Sequence, residues 1–171
     1  MTSSRPFNTG DPLAFFLTWT TYGTWLPGDQ RGSRRKRDPR VHPPNQALEE
    51  LARSRMNEAE FHLAVEQRPL VEETIRRHCL VRGWALHAVN ARSNHVHVIV
   101  TAAGRDPNRV RNEFKAWCTR ALHASDESRT EFWTEGGSCR SINNEDDLEA
   151  AVVYVLDVQD RKGLDDQERE T

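Results

Sequence analysis

The sequence predicts an α+β protein, an antiparallel sheet with helices packed against it and one extra helix at its C-terminal side. Three stretches lead to that reading: an aromatic, β-branched run over residues 13–21, a hairpin pattern over 84–102, and amphipathic helices between and after them. At 171 residues the chain is long enough for one domain with a real core. We divide it into a loose lead-in over 1–12, a domain over 13–163 carrying a basic loop at 22–45, and a charged tail over 164–171.

The opening strand, Leu13-Ala14-Phe15-Phe16-Leu17-Thr18-Trp19-Thr20-Thr21, places Phe15, Leu17 and Trp19 on one face and Phe16, Thr18 and Thr20 on the other. A turn-rich loop from Tyr22 to Gly32 follows, containing Trp25, Pro27 and Gly28. It leads into Ser33-Arg34-Arg35-Lys36-Arg37-Asp38-Pro39-Arg40, the densest basic run of the chain. Aromatics such as Trp25 beside Arg34, Arg35, Lys36 and Arg37 suit single-stranded nucleic acid, which needs stacking platforms next to phosphate contacts. A solvated loop is the competing account.

Residues 45–65 read as an uneven amphipathic helix. A better one spans 69–82, with Pro69 in its first turn, acids after it, basic residues toward its end and Gly83 as its stop. His78 on that helix reads as surface or core edge. Trp84–Ala91 and His95–Ala102 form a hairpin around Arg92-Ser93-Asn94. Asp106 and Pro107 then start a helix that runs to about Ala124, with Val110, Phe114, Trp117, Ala121 and Leu122 as its apolar stripe. Arg109, Arg111, Lys115 and Arg120 make it basic, as phosphate contacts or as an ordinary solvated face. Residues 132–142 read as two short strand pieces around Gly136-Gly137. Asn143 or Asn144 caps a last helix, nearly continuously apolar and expected to be buried, that runs to about Gln159. The order is strand, helix, strand, strand, helix, small strand element, helix, and the first four fit a ferredoxin-like split β-α-β arrangement, an antiparallel sheet with helices on one face.

Composition bounds the function. A net charge of −2 carries no global nucleic-acid signature, so an anionic partner must be held by local basic patches. Cys79, Cys118 and Cys139 are scattered and form no C-x-x-C, which argues against a zinc knuckle or a disulfide framework and fits a reducing cytoplasm. No apolar run reaches the roughly 20 residues of a membrane span, and none resembles a signal peptide core.

The candidate chemistry lies in Asn94-His95-Val96-His97-Val98-Ile99-Val100. Alternation puts His95 and His97 on one face, about 7 Å apart along the strand, as a pair of metal ligands on a rigid element. Two satisfied histidines on a half-exposed strand are the competing account. Two imidazoles leave room for a third ligand and for substrate oxygens, and an ion so held acts as a Lewis acid on a phosphoryl group. Asp157 and Gln159 on the last helix are the candidates for that third ligand. Free tyrosine is a poor nucleophile at neutral pH, its pKa being about 10. Beside a metal-polarised phosphate a tyrosine can attack and form a phosphotyrosine, a role open to Tyr154, or its ring simply packs in the core.

Taken in order, these motifs resemble the single-tyrosine HUH-endonuclease transposases, including those associated with repetitive extragenic palindromes. The resemblance covers roughly 13–163 and rests on the aromatic first strand, the His95/His97 strand, Phe114-Lys115, Phe132-Trp133, and Arg140-Ser141-Ile142-Asn143-Asn144-Glu145-Asp146-Asp147-Leu148 leading to Tyr154-Val155-Leu156. It implies a ferredoxin-like fold that cuts and rejoins single-stranded DNA beside hairpins. It also implies Mg²⁺ or Mn²⁺ on His95 and His97, attack by Tyr154, a 5′-phosphotyrosine link and a free 3′-hydroxyl. Lys115, in the Phe114-Lys115 motif, joins the basic run and Trp25 as a DNA contact. In some members the tyrosine serves a partner's histidines, so a homodimer with Tyr154 acting in trans is one arrangement. The chain departs from the family at Val158, where relatives commonly carry Asn, Gln or His, and it lacks the Asn-Pro that follows the tyrosine in many of them. Two further readings remain: a hairpin-binding relative with weakened chemistry, and a metal-free phosphodiesterase using two histidines. The second of these is poorly served by His42, His62, His87 and His123, which lack the neighbours such sites use.

Overall fold

A computed structural model describes residues 10–35 and 38–158. The central sheet has four antiparallel strands: β1 (Ala14–Thr20), β4 (Ala85–Ala91), β5 (His95–Thr101) and β6 (Ser138–Ile142), in the order β4-β5-β1-β6. With α2 (Gln67–Arg82) between β1 and β4, and α3 (Pro107–His123) between β5 and β6, this is the ferredoxin-like β-α-β-β-α-β order. A small second sheet pairs β2 (Ser33–Arg35) with β3 (Asp38–His42). The basic run expected as loop therefore supplies the arms of a hairpin. Lys36 and Arg37 lie outside the described residues, as do Gln159, most of the 1–12 lead-in and the 164–171 tail.

The sheet is covered on both faces rather than on one, because α4 (Glu145–Val153) and the turn after it lie on the side opposite α2 and α3. On one, Leu17, Trp19, Val96, Val98 and Val100 pack with Val71 and Ile75 of α2 and with Val110, Phe114 and Leu122 of α3. On the other, Ile99, Ala88 and Ile142 pack with Ala151 of α4 and with Val155 beyond it. The alternation of the strands sorts these sets, since neighbouring residues face opposite ways.

Capping follows the sequence. The Asp106 carboxylate accepts from the amides of Asn108 and Arg109, with Pro107 opening α3. Asn144, rather than Asn143, caps α4 through the amide of Asp147. Gly83 closes α2 in the left-handed conformation.

Several expectations need correction. The helix read over 45–65 is α1 (Gln46–Ser54) alone. Residues beyond it spend their amides elsewhere, Phe61 on the Tyr22 carbonyl and Leu63 on that of Ser93, and thereby deliver both side chains to the core. On α3 the buried stripe is Val110, Phe114, Cys118 and Leu122, while Trp117 is turned outward with Arg120 stacked on it at 4.6 Å. The last helix is not buried: α4 buries only Ala151, and Val153 and Leu156 are exposed. A helix lying as one layer over a sheet covers only the stripe it presents to that sheet. It also does not run on as α-helix, because Tyr154–Val158 forms a π-helical turn.

Candidate active site on the outer face of the sheet

The histidine strand sits in the middle of the sheet, between β4 and β1. His97 stands opposite Thr18 on β1 and Asn90 on β4, and His95 stands opposite Thr20. The two imidazoles come together with ring centroids 4.7 Å apart. His97 is almost entirely buried, at 7 % exposure. Its Nδ1 is 2.8 Å from the Thr18 hydroxyl, and the His95 Nδ1–H donates to the Asn94 side-chain oxygen at 2.7 Å. A partner on Nδ1 orients each ring, and the Asn94 oxygen, an acceptor, favours the His95 tautomer that presents the Nε2 lone pair.

Burial above all, with the neighbouring charges of His95 and Arg92 adding to it, pushes the His97 imidazole down to about 3. The ring is therefore neutral throughout the physiological range, which is the form that binds a cation.

Tyr154 joins this pair. Its ring centroid lies 6.1 Å from that of His97 and 6.4 Å from that of Phe16, both edge-on, and Phe16 stacks on His97 at 5.3 Å with an interplanar angle of 17°. Two features hold the tyrosine there. The aromatic cluster is one. The other is Asn90, whose buried side-chain amide donates at 2.8 Å to the Val155 carbonyl inside the π-turn. A buried carbonyl without such a donor would cost about 1–3 kcal/mol, so this bond ties the turn to the β4 edge of the sheet. π-turns recur at functional sites.

Asp157 is exposed on that turn. Among the described residues no set of three or more His, Cys, Asp or Glu side chains forms a metal cluster. His95 and His97 thus fit a divalent cation as two nitrogen donors, with the other coordination positions left to water and phosphate oxygens.

Trp25 and Lys115, far apart in sequence, line one cleft of about 410 Å³ together with Tyr22, Trp133 and Glu135. Trp25 is 39 % exposed and carries the Arg31 guanidinium at 4.2 Å from its ring. Lys115 is engaged: its ammonium donates to the carbonyls of Thr134 at 2.7 Å and Gly136 at 3.0 Å. Burial, with Arg111 adding to it, lowers its pKa to about 8. It secures the turn through Gly136 and Gly137. At Gly137, with φ of 142°, an added Cβ would lie 2.5 Å from the Thr18 carbonyl, so this backbone approaches β1 too closely for any side chain. Trp25 also borders a second, larger groove of about 760 Å³ that includes Thr18, Thr20 and Arg31. Arg34 and Arg35 stand on β2, and their side chains lie outside the description, as does that of Val158.

Sequence reading missed Phe16, Thr18 and Asn90. The alternation of β1 already placed Phe16 and Thr18 on one face. What was absent was the register that sets this face against the histidines.

No family model matches the chain, and no curated protein matches it. Among solved structures it is similar to a REP-associated tyrosine transposase bound to a REP hairpin, with a TM-score of 0.51 and 16% identity over 91% of this chain and 70% of that one. It is also similar to a putative transposase from Deinococcus radiodurans, with a TM-score of 0.45 and 12% identity over 88% of this chain and 93% of that one. At these identities the first likeness establishes the fold.

Proposed function

We propose that this chain is a tyrosine transposase-type strand transferase that cuts and rejoins single-stranded DNA beside hairpins. The observation that carries the reading is Tyr154 within one cluster with an oriented histidine pair, its ring 6.1 Å from that of His97 in the same chain. The solved structure with this fold that is bound to a REP hairpin supports a hairpin substrate. The tyrosine and the pair meet within one chain, so the reading takes Tyr154 to act in cis and requires no second copy.

In this reading the Tyr154 hydroxyl oxygen attacks the scissile phosphorus, the bond to the 3′-oxygen breaks, and a 5′-phosphotyrosine forms. The tyrosine's proton passes to solvent, and the departing 3′-oxygen takes up one. Rejoining is the reverse, with a 3′-hydroxyl attacking the phosphotyrosine. His95 and His97 hold Mg²⁺ or Mn²⁺, with Asp157 or Gln159 as the candidate further donor. When bound, the ion supplies Lewis-acid polarisation of a phosphoryl oxygen. Thr18 and Asn94 keep the two rings oriented, and Asn90 holds the tyrosine turn in reach. Trp25 offers a stacking surface along the strand's path, with Lys115 and the basic run Arg34, Arg35, Lys36 and Arg37 adding positive charge.

The test is incubation of labelled hairpin oligonucleotides, drawn from the DNA flanking the gene, with the protein and Mg²⁺ or Mn²⁺, followed by a denaturing gel. A protein-linked band that disappears in Tyr154→Phe and with chelator is the expected result. Val158 at the position of a common family ligand favours a second reading, a hairpin-binding protein without strand transfer. A gel shift on the same oligonucleotides with no covalent band would establish it. Under either reading, neutralising Arg34, Arg35, Lys36 and Arg37 together is expected to weaken binding and flatten its salt dependence, since fewer counterions are released.

A further inference from the structure

A cleft of about 530 Å³ opens between β6 and α4, beside Tyr154, and the reaction above makes no use of it. Phe16, Arg140, Ser141, Asp147, Ala150 and Tyr154 contribute to its lining. Each side chain brings a distinct capability. Arg140 stands opposite Phe16 across the β1–β6 pair and holds its guanidinium 5.1 Å from the Phe16 ring. No carboxylate among the described residues pairs with it. Several arginines on α2 do have such partners: Arg76 and Arg77 engage Glu73, and Arg82 engages Glu113. An arginine without an acid, set on an aromatic ring that itself stacks on His97, is placed to take a phosphate.

Asp147 supplies the second capability. One of its carboxylate oxygens accepts from the Asn144 side-chain amide at 2.6 Å, which orients the group, and a carboxylate retains further acceptor sites. The helix start it belongs to also carries Glu145 and Asp146. A second phosphate is repelled there, whereas a base edge rich in N–H donors is attracted. Ala150 supplies a small side chain that leaves space for a ring, and the cleft volume accommodates one nucleotide.

We infer that this cleft seats one unpaired nucleotide flanking the scissile phosphate, with Arg140 on its phosphate and Asp147 on its base. The position beside the scissile phosphate rests on the strand-transfer reading; the nucleotide seat itself rests on the cleft. A carboxylate accepts from the cytosine N4 amine, whereas thymine presents carbonyl oxygens on either side of its single N–H. The seat therefore prefers cytosine to thymine, and the position next to the cleaved bond is read by protein.

The first arm titrates the full chain with dCMP, dTMP and inorganic phosphate, following backbone amides by NMR. The expected result is a shift of the Ser141, Asp147 and Ala150 amides, with dCMP binding about fivefold or more tighter than dTMP. Arg140→Ala is expected to weaken both by about tenfold, and Asp147→Asn to remove the preference between them. Equal binding of dCMP and inorganic phosphate would overturn the base contact, and absence of shifts at these amides would overturn the seat. The second arm measures covalent adduct on hairpin oligonucleotides differing only in the nucleotides next to the cut. Adduct yield unchanged in Arg140→Ala, with no preference for cytosine, would overturn the flanking role. Shifts at the cleft with no adduct from the unaltered chain would instead keep the nucleotide seat and remove the strand-transfer reading.

Discussion

Two histidines, each 7 % exposed, are buried on opposite sides of the sheet by different means. His78 lies between α2 and α3, ringed by Trp84, Phe114 and Trp117, with its Nε2 2.8 Å from the Glu113 carboxylate, which also takes Arg82. His97 lies under α4 and the π-turn, with a threonine hydroxyl on Nδ1 and a second imidazole beside it. The first arrangement gives a buried ring a carboxylate and uses it to join two helices. In the second, no carboxylate among the described residues meets the ring, burial keeps it neutral, and a tyrosine and a cleft lie beside it. Burial alone therefore does not identify a functional histidine; the type of partner does. The surroundings differ in the same sense. The α2/α3 side is a dense apolar core, while the α4 side buries little more than Ala151 and Val155 of the segment that carries Tyr154.

The sharpest way to break this comparison is to remove bulk from each side. Trp19→Ala, in the α2/α3 core, is expected to cost about 3–5 kcal/mol in urea denaturation, whereas Val155→Ala under the tyrosine turn should cost about 1–3 kcal/mol. Equal losses would show that the outer face is as much a part of the core as the inner one.

The next effect concerns pH. The folded His97 pKa, about 3, lies below the ordinary histidine value of 6.5. The unfolded chain therefore binds a proton that the folded one refuses. The stability contributed is fully present above about pH 6.5 and is lost as pH falls from there toward 3, with a slope approaching 1.4 kcal/mol per pH unit for one proton. His97→Leu is expected to flatten that part of the stability–pH curve in metal-free buffer and, with Mg²⁺ or Mn²⁺ present, to abolish covalent adduct. An unchanged slope would mean that the ring protonates without unfolding.

Asn90→Ala should cost about 1–3 kcal/mol by leaving the Val155 carbonyl unmet. Hydrogen exchange should quicken at the tyrosine turn and leave α2 and α3 unaffected. Asn144→Ala and Asp106→Ala remove equivalent caps, each worth about 1 kcal/mol. Their consequences should separate: loss of the α4 cap is expected to lower adduct yield, and loss of the α3 cap to leave it intact. Smallest of all, Arg77→Ala deletes an exposed pair with Glu73 and should change stability by less than about 0.5 kcal/mol.

Much of this architecture is written in local pattern. Alternation in β1 and β5, Asp106-Pro107 before α3, and Gly83 after α2 each act within a few residues, and each is where the sequence puts it. What escaped depends on contacts between distant segments. Nothing near Asn90 announces that it will meet the Val155 carbonyl, and nothing near Thr18 announces His97. The apolar run after Leu148 suggested burial because residue type reports preference and not the supply of neighbours. Lys115 looked like a surface cation on its helix, yet the turn at Gly136 folds back over it. In the basic run, alternating polar residues gave no apolar strand signal, although backbone pairing from Ser33 to His42 makes a hairpin there.

The π-turn at Tyr154 bears on how this chain is compared with others. An α-helix returns to the same side every 3.6 residues, while a π-turn closes on the fifth residue and corresponds to one residue inserted into an α-helix. An ungapped alignment with a chain whose tyrosine stands on uninterrupted α-helix therefore drifts out of step immediately after Tyr154.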